Sequence, residues 1–325
     1  MNTKAKLSAY GAALALLIGG GYTVGTAAGP LSTATAPSGH GEMSGAASSG
    51  AGVTGHGDAH SGTVAGTATD QPGGLASSRG GYTLTPTDST LTPGTTEPFS
   101  FRITGPDGAP VTGFDVEHDK RMHLVIVRRD TTGFAHKHPQ MAADGTWSVP
   151  LTLPAAGSYR AFADFTPTGS EGITLGVDLV APGAFEPVNH APSRAAQLDG
   201  YTVELTGDLV PGRGSPVTLT VSKDGAPVTD LQPYLAAYGH LVALREGDLA
   251  YLHVHPEGSP GDGRTPAGPR IQFVAGVPTE GTYRLFLDFQ HNGVVRTAEF
   301  TVPTGAVRPQ PVAEPAAPAA SGRGH

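Results

Sequence analysis

Two short stretches concentrate the residues able to do chemistry. "FAHKHPQ" places His136 and His138 directly before Pro139, and "AYLHVHPEG" places His253 and His255 directly before Pro256. Side chains alternate along a strand, so each His-x-His pair projects from one face. The chain has 13 histidines and no cysteine, which leaves imidazole, carboxylate and thioether as its possible metal ligands. Three imidazoles with a carboxylate suit Zn(II) or Cu(II) and make a poor cage for a soft ion.

The spacing is duplicated. His123, His136 and His138 recur 117 residues later as His240, His253 and His255, and Asp164 recurs as Asp288 after a seven-residue insertion within "PEGSPGDGRTPAGPR". Turn chemistry predicts how these residues meet. A tight turn at Gly247 and Asp248 sets His240 opposite His255 and His253 opposite Val242, so that all three imidazoles share a face. A turn at Asp130 and Thr131 does the same for His123, His138 and His136. A one-residue slip would scatter each cluster across both faces. Asp164 ends "YRAFADF" on the strand expected to border His123, and Asp288 has the same relation to His240. The candidate ligands are therefore His123, His136, His138 and Asp164, then His240, His253, His255 and Asp288. The bound ion expected is copper or zinc. Met122 would add a thioether in the first repeat, whereas Gly239 stands there in the second; Met141 has no counterpart either.

The same residues also support a structural reading. Histidine–aspartate pairs can lock the edge of a sandwich without any metal, and Pro139 and Pro256 would then simply end a strand. A surface interaction or adhesive module is the corresponding function. A metal-dependent enzyme is the weakest of the three readings, because neither repeat offers a nucleophile elbow, an evident general base or a phosphate-binding glycine loop.

The elements that must position these residues are β-strands. With 47 Gly, 29 Pro and 15% charged residues, the chain favours short strands and many turns over long helices. "GYTLTPTDSTLTPG" recurs as "GYTVELTGDLVPG", "DGAPVT" occurs twice, and "GSYRAFADF" returns as "GTYRLFLDF". These units read as two tandem immunoglobulin-like β-sandwich domains, over residues 81–183 and 200–303, with residues 184–199 between them. "AAGSYRAF" and "TEGTYRLF" fit the strand that carries a tyrosine corner.

The flanks bear on location and partners. Lys4 and Lys6 precede an uncharged, largely apolar run over residues 7–29, long enough to span a bilayer and read as a signal anchor or a cleaved signal peptide. The expected location is the cell membrane with extracytoplasmic domains, or secretion after cleavage. Residues 30–80 read as a flexible Gly/Ser/Ala tether bearing His40, His56 and His60, and residues 304–325 as a Pro/Ala tail. A formal charge of −8 without a Lys/Arg cluster excludes a nucleic-acid footprint.

The combination "RMHLVIVRRD…FAHKHP…WSVPLTLPAAGSYRAFADF", followed by "LQPYLAAYGHLVALREGDLAYLHVHP", resembles a group of bacterial secreted or membrane-anchored proteins associated with heavy-metal and copper handling. "DGAPVT" and "AAGSYRAF" are also similar to YtkA-like immunoglobulin-type domains. The resemblance covers both repeats and implies an extracytoplasmic β-sandwich with a metal role on the eight residues named above.

Overall fold

A computed structural model describes residues 71–305. The apolar N-terminal run, the histidines of the tether and the tail beyond Gly305 lie outside the described residues. The fold is all-β. The first repeat contains β1 (Ser78–Arg79), β2 (Tyr82–Pro86), β3 (Thr96–Thr104), β4 (His123–Arg128), β5 (Ala135–Lys137), β6 (Gln140–Met141), β7 (Thr146–Thr152), β8 (Gly157–Phe165) and β9 (Ile173–Ala181). The second contains β10 (Ala195–Leu198), β11 (Tyr201–Thr206), β12 (Arg213–Lys223), β13 (Ala226–Pro227), β14 (His240–Arg245), β15 (Tyr251–Pro256), β16 (Arg270–Val277), β17 (Thr282–His291) and β18 (Val294–Pro303).

Each repeat is an immunoglobulin-like sandwich. Sheets ordered β1-β2-β3-β7-β6 and β5-β4-β8-β9 enclose the first core, in which Phe99, Phe101, Trp147, Tyr159 and Leu179 are buried. Alternation explains which side chains point inward: along β7, Trp147, Val149 and Leu151 are buried and Ser148, Pro150 and Thr152 are exposed. Both tyrosine corners are present. Tyr159 Oη donates to the Ala155 carbonyl at 2.8 Å, and Tyr283 Oη donates to the Thr279 carbonyl at 3.0 Å.

The prolines mark crossings between sheets. In the second repeat β15 pairs with β14 through Tyr251 to Val254 and then with β16 through His255 and Pro256, joining both halves of that sandwich. The first repeat breaks the equivalent strand at Pro139: β5 pairs with β4 before it and β6 with β7 after it. Pro139 and Pro256 therefore stand where the chain leaves one sheet for the other, which is the position at which a missing N–H costs the ladder least.

Both hairpins keep the expected offset where they pair, but the ladders end one residue short of the histidines: the expected oppositions of His123 with His138 and His240 with His255 are not formed, and His255 pairs with Val274 instead, because the chain has by then crossed to the other sheet. Leu124 pairs with Lys137, Val125 with His136 and Ile126 with Ala135; Leu241 pairs with Val254, Val242 with His253 and Ala243 with Leu252. Every pair is offset from its counterpart by 117 residues. Neither turn is the expected two-residue form: in the first the Arg128 carbonyl accepts the Thr131 N–H, which makes Arg129 and Asp130 the central residues with Thr131 left-handed after them, and the second is wider still. The Arg245 carbonyl accepts the Leu249 N–H at 3.0 Å, while the Glu246 N–H bonds the Thr282 carbonyl. Leu249 takes the left-handed conformation that closes this wider loop, and Arg245 N–H still bonds the Ala250 carbonyl, so the register survives.

Strand β4 is buried at all six positions. One face cannot account for this. Leu124 and Ile126 enter the core of their own repeat, whereas Val125 and Val127 join Phe162, Val242, Leu244, Leu249, Tyr251 and Phe286 in a third apolar cluster drawn from both repeats. The two sandwiches belong to one compact unit and dock through equivalent faces. Phe134 stacks on Phe286 with centroids 4.1 Å apart, and Tyr251 and Phe162, their counterparts in the repeat, meet at 5.2 Å. The same contact is thus made twice about a pseudo-twofold axis. Arg284 Nε adds a hydrogen bond to Thr131 Oγ1 across the seam at 3.1 Å.

The end of the stretch read as tether is folded into this seam. Gly73 carbonyl accepts the Tyr251 N–H from the second repeat, Gly74 N–H bonds the Thr174 carbonyl of the first, and Arg160 bonds the Gly74 carbonyl. Gly74 has φ +75° and lies so close to Phe162 that a Cβ would sit 2.4 Å from its ring, so only glycine fits there.

Candidate histidine centre between the repeats

The facing of the carboxylates follows from alternation. Tyr159 points into the first core, and Asp164, five residues further along β8, projects from the opposite face with Phe162. His123 shares that face with Val125 and Val127. Register then sets His123 opposite Asp164 and His240 opposite Asp288. The rows read from the sequence are present, but not as two exposed edge sites. The faces that carry them are pressed together, so the first-repeat set and the His240–Asp288 pair form one inter-repeat cluster. β15 sets His253 opposite Val242 and His255 opposite Val274.

Within the cluster, candidate ligand nitrogens of His123, His136 and His138 all lie within 4.8 Å of one another. His123 Nε2 donates to the Glu117 carbonyl at 3.1 Å, which leaves Nδ1 as acceptor for His136 Nε2, also at 3.1 Å. His136 Nδ1 reaches Asp288 Oδ2 of the other repeat at 3.0 Å, with both side chains only 5% exposed. Asp288 Oδ1 accepts from Thr297 at 2.6 Å, and Asp164 Oδ1 accepts from Thr174 at 2.8 Å. The neighbouring strand thus holds each carboxylate in place. His138 Nε2 is buried without a hydrogen-bond partner, an arrangement that costs roughly 1–3 kcal/mol.

Burial sets the charge state of this centre. It lowers the His138 imidazole to about 2, with His136 and His123 pushing in the same direction. His240 is lowered to about 3 by burial and then by His118, while its Nε2–H donates to the Leu235 and Tyr234 carbonyls at 2.9 and 3.1 Å. Both are therefore neutral imidazoles at pH 7, the form that ligates metal. Burial raises the Tyr234 phenol to about 12, assisted by Asp288, and lifts Tyr251 well above its ordinary range, assisted by Asp164 and Asp288.

Met122 and Met141 take no part. Met122 is 1% exposed in the core of the first repeat, behind the sheet from its neighbour His123, and Met141 packs against the same core. Gly239 replaces Met122 in the second repeat because Ile271 and Leu287 already occupy that space; a Cβ there would lie 2.9 Å from Ile271 and 3.0 Å from Leu287.

Two participants escape sequence reasoning. His118 sits in the turn closed by Glu117 and Lys120 and brings its ring to 5.1 Å from that of His240. Tyr234, from the equivalent turn of the second repeat, lies 6.3 Å from His138 and 6.1 Å from His240. Position 118 corresponds to Leu235 and position 234 to Glu117, so duplication points to neither; what the two turns share is backbone, the left-handed pair His118 and Asp119 matched by Leu235 and Ala236, and the closing bonds of Glu117 with Lys120 and Tyr234 with Ala237.

Among solved structures, the chain is similar to the Escherichia coli adhesin FdeC at 13% identity, covering 69% of this chain and 64% of that one, with a TM-score of 0.22. It is similar to the bacterial integrin-binding protein invasin at 15% identity, covering 68% and 39%, with a TM-score of 0.19. A mutant Salmonella alpha-2-macroglobulin matches at 15% identity over 71% and 15%, with a TM-score of 0.23. The chain spans less than two thirds of each, and overlays at these scores say nothing about function. No curated protein matches. One family model matches both repeats, at residues 76–178 and 196–306, and its description assigns no function and no link to copper. The chain belongs to this family, described as Domain of unknown function (DUF8832).

Proposed function

We propose that this is an exported protein that binds copper or zinc in a centre buried between its two sandwiches, for buffering, resistance or delivery of the ion. The observation that carries this reading is the His123, His136 and His138 triad, gathered within 4.8 Å with the buried Nε2 of His138 lacking a partner. Three nitrogens in one buried pocket, without thiolate and with a carboxylate beside them, match the preferences of Zn(II) and Cu(II). An ion between His123 Nδ1 and His136 Nε2 would replace the 3.1 Å contact these nitrogens make with each other. Export rests on Lys4, Lys6 and the apolar residues 7–29; no helix among the described residues is long and apolar enough to cross a membrane.

A second reading has its own support. His123 and His136 already complete a hydrogen-bonded chain from the Glu117 carbonyl to Asp288, which would serve a surface interaction or adhesive module by fixing its two sandwiches in one orientation. Equilibrium dialysis with elemental analysis separates the two. The full chain carrying His40→Ala, His56→Ala and His60→Ala is expected to retain Cu(II) or Zn(II) at micromolar concentration, and His138→Ala to weaken retention at least tenfold. Absence of retention of either ion by the histidine-intact seam would return the cluster to structural duty.

A further inference from the structure

Each imidazole of the triad has two ring nitrogens, and its surroundings single out one of them for an ion. His123 gives Nε2 to the Glu117 carbonyl at 3.1 Å, which turns Nδ1 inward. His136 turns Nε2 to the same place, 3.1 Å from His123 Nδ1, and presents Nδ1 to Asp288 Oδ2 at 3.0 Å. His138 Nε2 is the buried nitrogen without a hydrogen-bond partner. Two nitrogens bound tetrahedrally at about 2.05 Å stand roughly 3.3 Å apart, so the contact between His123 and His136 is close to the spacing that one ion requires.

Asp288 stands on the other side of the His136 ring. Among the described residues the donor atoms that converge are those of the three histidines, without Asp288, and its Oδ2 meets the nitrogen that His136 does not turn to His123. Its other oxygen accepts from Thr297 Oγ1 at 2.6 Å, on the strand paired with β17. Both His136 and Asp288 are buried, so little water competes for the bond between them. A ring nitrogen that donates to a carboxylate fixes the tautomer, and with it the lone pair on the opposite nitrogen.

We propose that Asp288 is a positioning residue for the ion site rather than one of its ligands: with an ion between His123 and His136, it accepts the Nδ1–H of His136 and so holds Nε2 free of a proton and aimed into the triad. This rests on the metal reading given above and deepens it, because the orienting group comes from the other repeat. The first repeat supplies all three nitrogens; the second supplies the carboxylate that orders one of them. Ion affinity is thereby tied to docking, and a seam that parts would keep its donors and release its ion more readily.

Asp288→Asn tests this by reversing one hydrogen bond. With Oδ1 still accepting from Thr297, the amide nitrogen faces His136 Nδ1 and donates to it, which moves the ring proton to Nε2, the ligating atom. Cu(II) alone is the probe, added to the full chain carrying His40→Ala, His56→Ala and His60→Ala, with and without Asp288→Asn. Affinity is expected to fall roughly 10- to 100-fold, while the urea midpoint of the metal-free chain falls far less than in Asp288→Ala. Electron spin echo envelope modulation, which detects the uncoordinated nitrogen of each bound imidazole, should change for one imidazole of the three. Unchanged affinity would overturn the proposal. So would three unaltered imidazole signals with shifted copper hyperfine values, which would make Asp288 a direct ligand. Should Asp288→Asn fail to fold, as circular dichroism would show, Thr297→Val decides: it touches no ligand but releases the carboxylate, and unchanged copper affinity there would overturn the proposal. No copper retained with Asp288 and the seam histidines intact would overturn the metal reading itself, and this inference with it.

Discussion

His136 of the first repeat and Asp288 of the second are joined by a 3.0 Å hydrogen bond between side chains that are each 5% exposed. The pair belongs to neither repeat alone and binds the two together. Removing one member of a buried pair strands the other, which typically costs about 3–5 kcal/mol. Asp288→Ala should lower stability by that order in urea denaturation of the metal-free chain. The double variant with His136→Ala should lose clearly less than the two single losses combined. Strict additivity would mean that the bond contributes nothing to docking.

The apolar part of the seam predicts a different signature. Phe286 is fully buried, stacked on Phe134 and packed with Val125 and Val127. Phe286→Ala should cost roughly 3–5 kcal/mol. Because the loss falls between the repeats rather than inside either core, calorimetry should resolve one unfolding transition into two. A single transition, merely shifted downward, would argue that each sandwich depends on the other for its own fold.

Acid should loosen the same seam. His138 and His240 are held at about 2 and about 3 against an ordinary value of 6.5, so between those values the unfolded chain binds more protons than the folded one. Stability therefore rises with pH through this window, is fully present above about 6.5, and is lost progressively as pH falls towards 3. The urea midpoint of chelator-treated protein should be lower at pH 5 than at pH 7.5. An equal or higher midpoint at pH 5 would mean that the buried imidazoles accept protons without penalty.

The tyrosine corners offer a control remote from the histidines. Tyr159→Phe and Tyr283→Phe each remove a hydroxyl that bonds a carbonyl four residues upstream, at a cost of about 1 kcal/mol. Thermal midpoints should fall by roughly 2–4 °C, with metal retention unchanged. Loss of metal retention in either variant would show that the corner sets the geometry of the seam.

The sequence made the hairpins legible because two things agreed: turn residues at fixed offsets, and a repeat that preserved them. Even where the second turn proved wider, Arg245 and Ala250 kept the expected offset, and His123 and His240 met Asp164 and Asp288 as placed. The docking was written more faintly. "HLVIVR" is apolar at consecutive positions rather than at alternate ones, the mark of a strand covered on both faces, yet nothing in it names the second cover. His118 was invisible for a related reason. A duplicated pattern reveals what both copies share, and this residue acts at the point where they differ.

The bonds that Gly73 and Gly74 make, one to each sandwich, decide how the folded body meets whatever lies upstream of it. The chain enters at the seam rather than at the far end of one repeat. A pull along the N-terminal segment would therefore be divided between both sandwiches at Tyr251 and Thr174, and the first contacts to yield under load would be those beside Phe162. Mechanical tension and the integrity of the histidine centre would then be coupled through a few residues of backbone.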